Sequence, residues 1–387
     1  MNNGIMHQNP NIFPMTELFL NQGVNRPLRQ ITGAAKRIAV IRGDKSYPRA
    51  LINESLLDVH SQYGVMEFSG FSPNPKYEEF QKGLDTLRDF HPDLIIGCGG
   101  GSILDMAKML RYFVTTSGTD EEIASALKGG PDTESAVPTP SLVLMPTTAG
   151  SGAESTEFSV IYFGSSKYSF LRKALKPDFV IADPALIRHA PGSVLASSAM
   201  DAIAQSIESI WARGATSESR QDAREALLLM WGSAADAILT RNEDSLKKII
   251  KGSNLAGRAI NVSKTTGNHA LSYKITSDYG VPHGHCVGML LPQFFKLHEK
   301  LWHQEPQRGR SAIAAQSEIY SALGFASSAE LVAGFVRFIE DLGLESFATL
   351  NGRHSFDAGP IVDSVNVERL GNHPIDLTTD DLLSLFD

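Results

Sequence analysis

The chain has 387 residues, 42% of them hydrophobic and 20% charged, with a formal net charge of −8. Those proportions exclude a disordered chain, a coiled coil and a collagen-like fibre, and the acidic balance argues against non-specific nucleic-acid binding. The two cysteines, Cys98 and Cys286, are too few for a disulfide framework and point to a reducing, cytoplasmic setting.

The N-terminal stretch through Met15 lacks the basic and then apolar pattern of a signal peptide, and no apolar run reaches membrane-spanning length. In chain order, the pattern predicts strands at 37–42, 64–68, 92–97, 141–145 and 179–182. Helices are expected at 51–63, 75–90 and 102–113, between the strands. Strands alternating with helices imply a mainly parallel sheet. Residues 116–140, rich in Gly, Ser, Asp and Pro, read as a surface loop with one short helix. Near Asp183-Pro184 the texture turns helical, with helices expected at 194–213, 217–240, 245–263, 311–323, 328–342 and 379–387. The expected organisation is an α/β domain over 1–185 and an all-helical domain over 186–387.

The segment from Leu94 to Lys108 runs from an apolar strand through Gly97, Gly99, Gly100 and Gly101 into a helix that begins at Ser102. Glycines admit an anion close to the backbone, and a helix start offers unpaired N–H groups and a positive dipole end. That suits a pyrophosphate. It equally describes a tight strand-to-helix turn in which Ser102 and Asp105 form a capping box. Asp44, after the first predicted strand, is placed to bind adenine-ribose hydroxyls and repel a 2′-phosphate; alternatively it is a turn residue after Gly43.

In the second half, Asp201 and Gln205 are four apart on one helix face, and His269 and His283 follow. An aspartate and two histidines suit a divalent metal that keeps a position open for substrate and acts as a Lewis acid. Each also has an ordinary structural reading.

Taken together, these pieces resemble the iron-containing (group III) alcohol dehydrogenase family, whose relatives include glycerol dehydrogenase and dehydroquinate synthase. The matching motifs are Gly-Asp-Lys at 43–45, Gly-Gly-Gly-Ser-Ile-Leu-Asp-Met-Ala-Lys at 99–108 and Pro-Thr-Thr-Ala-Gly-Ser-Gly-Ala-Glu at 146–154. Pro-Asp-Phe-Val-Ile-Ala-Asp-Pro at 177–184, Met-Asp-Ala at 200–202, Ala-Gly at 256–257, His269 and Pro-His-Gly at 282–284 complete them. The resemblance implies a Rossmann-like nucleotide-binding α/β domain, an all-helical metal-binding domain and hydride transfer in a cleft between them. It assigns Asp44, Gly99, Gly100, Gly101, Ser102, Asp105, Thr147, Thr148 and Lys167 to NAD(H) or NADP(H). It assigns Asp201, His269 and His283 to Fe²⁺ or Zn²⁺. Where the family has a further metal histidine this chain has Gln205, a neutral amide that either ligates or holds a ligand from behind. Where the family often has another histidine it has Tyr273, expected to hydrogen-bond the substrate oxygen. His285 is expected to be either a proton relay or a structural residue.

Arg258 and Lys264 stand where simple alcohol dehydrogenases have small or apolar residues. On a continuous helix Arg258 would lie about 16 Å axially from His269, and Lys264 about 7.5 Å away but roughly 140° off. A break before His269 would turn Lys264 inward. The run Lys-Thr-Thr-x-x-His-Ala-x-Ser-Tyr with Gly-Val-Pro-His-Gly-His resembles a subgroup that reduces phosphonoacetaldehyde to 2-hydroxyethylphosphonate. That makes Lys264, with Thr265 and Thr266, the expected anion partner. The alternatives are a dehydrogenase of another small alcohol, diol or maleylacetate, a dehydroquinate synthase-like lyase, or a protein that only binds nucleotide. The expected partners are a small aldehyde or alcohol and a second copy of the chain, with no nucleic acid or membrane.

Overall fold

The structure, a computed structural model, describes residues 15–33, 35–48, 51–52, 64–72, 74–131, 139–164, 166–365 and 367–387. The chain forms two compact units. One comprises residues up to Pro146 together with Glu157–Ala182; the other comprises Thr147–Thr156 with Asp183–Asp387. Thr147–Thr156, which the sequence reading keeps with the nucleotide domain, therefore groups with the helices.

The first unit is built on strands β1 (Glu17–Leu20), β2 (Arg37–Arg42), β3 (Gly64–Phe68), β4 (Leu94–Gly99), β5 (Ser141–Pro146) and β8 (Phe179–Ala182). They lie in the order β1-β8-β5-β4-β2-β3, every pair parallel. β4 is buried along its whole length, as a strand covered on both faces must be, which is why it reads as a continuous apolar run. Helices Tyr77–Phe90 and Gly101–Phe113 supply apolar side chains to the core. Most of the expected 51–63 helix lies outside the described residues.

The antiparallel hairpin β6 (Phe158–Phe163) and β7 (Ser166–Leu171) is a two-stranded sheet of its own that the sequence reading does not contain. It is tied down by the helix beside it. Asp105 accepts from the Val160 N–H at 3.0 Å, and the fully buried Lys108 ammonium reaches the Phe158 carbonyl at 2.5 Å and Asp105 at 3.0 Å.

In the second unit, Asp183 caps the short helix Pro184–Ile187 by accepting from the Ala185 N–H. The long helix Gly192–Trp211 is buried along most of its length and is therefore small-residue and apolar nearly all round. Around it stand Ser217–Trp231, Glu243–Ser263, Gly267–Tyr279, His283–Gln304, Pro306–Ala322 and Ser328–Asp341. The single helix expected at 217–240 is two, broken at Gly232-Ser233 before Ala234–Thr240. The terminal helix is the shorter Thr379–Leu383. Among the described residues no helix is long and apolar enough to cross a membrane. Both cysteines are buried thiols, and burial raises each to about 12.

Candidate functional site

In the first unit, β3 lies on one side of β2, and the chain then crosses to place β4 on the other. In an open parallel sheet, ligands bind beyond the carboxyl ends of the strands at such a reversal of order. Register aligns Arg42 with Cys98, and the Gly43 N–H bonds the Cys98 carbonyl at 3.3 Å. The two glycine turns thus start side by side. Gly99 is required sterically: a Cβ there would fall 2.6 Å from Ile103. Gly100, not Ser102, is the N-cap, with no side-chain cap, so the capping-box alternative is corrected. The Ile103 and Leu104 N–H groups bond back to the Gly100 carbonyl. The Gly101 and Ser102 N–H groups precede that ladder at the positive helix end.

Asp44 is exposed at the same edge, 3.4 Å from Arg42, whose guanidinium also pairs with Glu67 at 2.8 Å. Asp105 does not join this set. It is buried, its carboxylate holding Lys108 and Val160. Lys167 is half-buried in β7, opposite Tyr162.

In the second unit, close backbone contacts set the frame. Gly152, at φ +58°, faces Gly257, and a Cβ on either would meet the other's backbone at 2.4 Å. This explains why the two glycine motifs occur together. A Cβ on Gly284 would lie 1.9 Å from the Ser197 carbonyl, and one on Gly288 would lie 2.5 Å from Met200. The start of helix His283–Gln304 therefore presses onto helix Gly192–Trp211, and His283 comes to Asp201. Thr147 belongs to this unit, with its hydroxyl oxygen buried and without a hydrogen-bond partner; Thr148 is half-buried.

One ligand atom from each of Asp201, His269 and His283 lies within 4.8 Å of the other two. Asp201 Oδ1 is 3.3 Å from His269 Nε2 and 3.9 Å from His283 Nε2. Each imidazole is fixed from behind. Glu208, fully buried, accepts a hydrogen bond from His269 Nδ1 through Oε2. Its Oε1 accepts from the N–H groups of Thr266, Asn268 and His269 and from the Thr266 hydroxyl. The helix Gly267–Tyr279 has no side-chain cap of its own, so Glu208 caps it from another helix. Ser272 donates to the His269 carbonyl and accepts from His283 Nδ1 at 3.2 Å. Both Nε2 atoms are left facing Asp201. Tyr273 stacks on His283 with ring centres 5.5 Å apart.

Burial pushes the Asp201 carboxyl up, but the His269 hydrogen bond and the charge of His283 outweigh it and hold it below its ordinary value. Burial pulls His269 down, yet the Glu208 charge and the Asp201 bond raise it to about 9. A cation held by two carboxylates through one imidazole is thus what the cluster favours, and a divalent metal offers the same atoms more charge. Gln205 donates to Asp201 Oδ1 at 3.1 Å and to the Ser151 carbonyl, while its own buried Oε1 has no partner. A buried, orphaned acceptor on the amide that bonds Asp201 fits a metal centre.

The inward turn expected of Lys264 is corrected, and Arg258 and His285 take ordinary structural places. The chain does break after Ser263, where Lys264 adopts φ +60°, but the lysine folds back and donates to the Asn261 carbonyl at 2.8 Å. Arg258 pairs with Asp222 at 3.0 Å on the surface. His285 Nε2 bonds the Glu345 carbonyl at 2.7 Å, a structural anchor rather than a relay. Glu208 is the functional residue that the sequence reading misses. Its signal is a charge seven residues after Asp201, on the same face of an otherwise apolar helix.

Residues 16–184 match the family described as iron-containing alcohol dehydrogenase, and residues 195–370 match its C-terminal domain. An alcohol dehydrogenase of Thermococcus barophilus is 26% identical over 344 residues, covering 88% of each chain. A phosphonoacetaldehyde reductase of Streptomyces viridochromogenes is 28% identical over 215 residues, 54% of each. Among solved structures, sulfoacetaldehyde reductase from Bifidobacterium kashiwanohense in complex with NAD⁺ superimposes with a TM-score of 0.82 at 24% identity, over 96% of each chain.

Proposed function

The chain belongs to the iron-containing alcohol dehydrogenase family, an oxidoreductase family, and from that premise we propose that it reduces a short aldehyde with an anionic head, phosphonoacetaldehyde first, using NADH. The observation that carries the reading is the convergence of Asp201 and the Nε2 atoms of His269 and His283, backed by Glu208 and Ser272. The anionic head is supported by the relatives named for phosphonoacetaldehyde and sulfoacetaldehyde.

The balanced reaction takes the aldehyde, NADH and a proton to the alcohol and NAD⁺. Asp201, His269 and His283, with Gln205 Oε1 alongside, would hold the metal, which when bound supplies Lewis-acid polarisation of the carbonyl. The nicotinamide carries the redox chemistry. Glu208 keeps one His269 proton on Nδ1, so Nε2 is the nitrogen that would give up its proton to take the metal. The glycine turn after β4 and the following helix start would hold the pyrophosphate. Asp44 would take the ribose hydroxyls and disfavour NADPH.

The test is aldehyde reduction by protein reconstituted with Fe²⁺, Zn²⁺ or Mn²⁺, comparing phosphonoacetaldehyde with propanal and glyceraldehyde and NADH with NADPH. Phosphonoacetaldehyde should lead by at least about tenfold in kcat/KM, a transition-state difference of roughly 1.4 kcal/mol. Equal rates for the neutral aldehydes would remove the phosphonate assignment and leave the dehydrogenase. Substrate turnover without net NADH consumption would favour a lyase.

A further inference from the structure

The Thr265 hydroxyl is a meeting point beside the metal ligands. Thr265 is buried, and Arg369, on the short helix Val367–Gly371, donates to it through Nη1. The Tyr273 phenol is hydrogen-bonded to the same side chain. The Arg369 guanidinium carbon stands 5.6 Å from the centre of the Tyr273 ring, and that ring stacks on His283 at 5.5 Å with an interplanar angle of 11°. The two distances cap the separation between guanidinium and imidazole at about 11 Å. The metal–oxygen and hydrogen-bond lengths at its two ends extend the short span of a two-carbon aldehyde to a reach comparable with that bound.

Lys264 binds the Asn261 carbonyl, Arg258 pairs with Asp222, and Arg213 pairs with Asp376 at 2.8 Å. A guanidinium is also the better partner for a tetrahedral oxyanion, because its planar fork matches two oxygens at once.

We propose that Arg369, positioned by Thr265 and Tyr273, anchors the anionic head of the substrate. This rests on the function proposed above in that the carbonyl end lies at the Asp201–His269–His283 cluster. Phosphonate and sulfonate share the chemistry that Arg369 recognises, so the experiment uses both.

The experiment is calorimetric titration of 2-hydroxyethylphosphonate and 2-hydroxyethylsulfonate into metal-loaded, NAD⁺-saturated protein. At least one should bind the unmodified chain, and Arg369→Leu should weaken that Kd at least thirtyfold. Arg369→Lys, which keeps the charge and loses the fork, should weaken it at least threefold. If Arg369→Leu does not fold, Arg369→Lys decides alone. Binding of neither anion, or a Kd unchanged in the variants, overturns the proposal. Turnover of phosphonoacetaldehyde judges the other reading separately. If the anions bind through Arg369 but that aldehyde is reduced no better than propanal, the anchor stands and the phosphonate assignment falls.

Discussion

His269 can serve as a ligand because Glu208 accepts a hydrogen bond from its other nitrogen. That carboxylate also receives three backbone N–H groups and a hydroxyl, so it orients the ring and caps the helix that carries it. Replacing it with an amide turns a donor toward groups that are themselves donors, a buried conflict. Glu208→Gln should lower metal affinity by about 10- to 100-fold, measured by competition with a chromophoric chelator. Unchanged affinity would mean that the ring is held by packing alone. At this scale the convergence of Asp201, His269 and His283 is anticipated by the family motifs, whereas each residue by itself has an ordinary structural reading. Glu208 and Arg369 are not anticipated, because each matters through residues about 60 to 100 positions away.

Elements meet where side chains are missing. Gly284 and Gly288, one turn apart, let the start of helix His283–Gln304 approach Ser197 and Met200. Gly284→Ala would drive a methyl group into the Ser197 carbonyl, and the helices would have to separate. The expected cost is about 1–3 kcal/mol of stability, with weaker metal retention because His283 moves with the helix. Thermal unfolding of metal-free and metal-loaded protein checks both, and a full-strength metal shift in the variant would count against the coupling. The helix Gly267–Tyr279 escapes the sequence reading because its first turns bury Asn268, His269 and Ser272, erasing the apolar period. β1, at four residues, is too short to show a period. The β6–β7 hairpin is specified by its anchor to Asp105 and Lys108 rather than by a place in the main sheet.

For the molecule as a whole, buried histidines set opposing pH limits. His298 and His373 are fully buried with Nε2 atoms 2.9 Å apart, and Gln316 accepts from His298 Nδ1. Burial depresses both, His298 to about 4 and His373 well below its ordinary value. Below pH 6.5 the unfolded chain takes up protons that the folded chain refuses. Stability should therefore fall as pH drops, by about 1.4 kcal/mol per pH unit for each histidine. His269, raised to about 9, works the other way: its contribution is full below pH 6.5 and is lost as pH rises toward 9. From these three groups, metal-free protein should be most stable near pH 6.5. Denaturant unfolding at pH 5, 6.5 and 8.5 tests this, and a flat profile would refute it. His298→Gln should reduce the acid slope.

Two kinds of information are local and therefore readable in the sequence: the apolar runs and periods that mark a parallel α/β half and a helical half, and the glycine, aspartate and histidine motifs that carry the family resemblance. Tertiary structure alone decided the strand order that sets Gly43 beside Gly99, the crossing of Gly152 on Gly257, and the fold-back of Lys264. It also brought Glu208 to His269 and Arg369 to Tyr273. The physical reason is one of range. Propensity and turn geometry act over a few residues, whereas the partner of a buried polar side chain is chosen by packing between segments far apart in the chain.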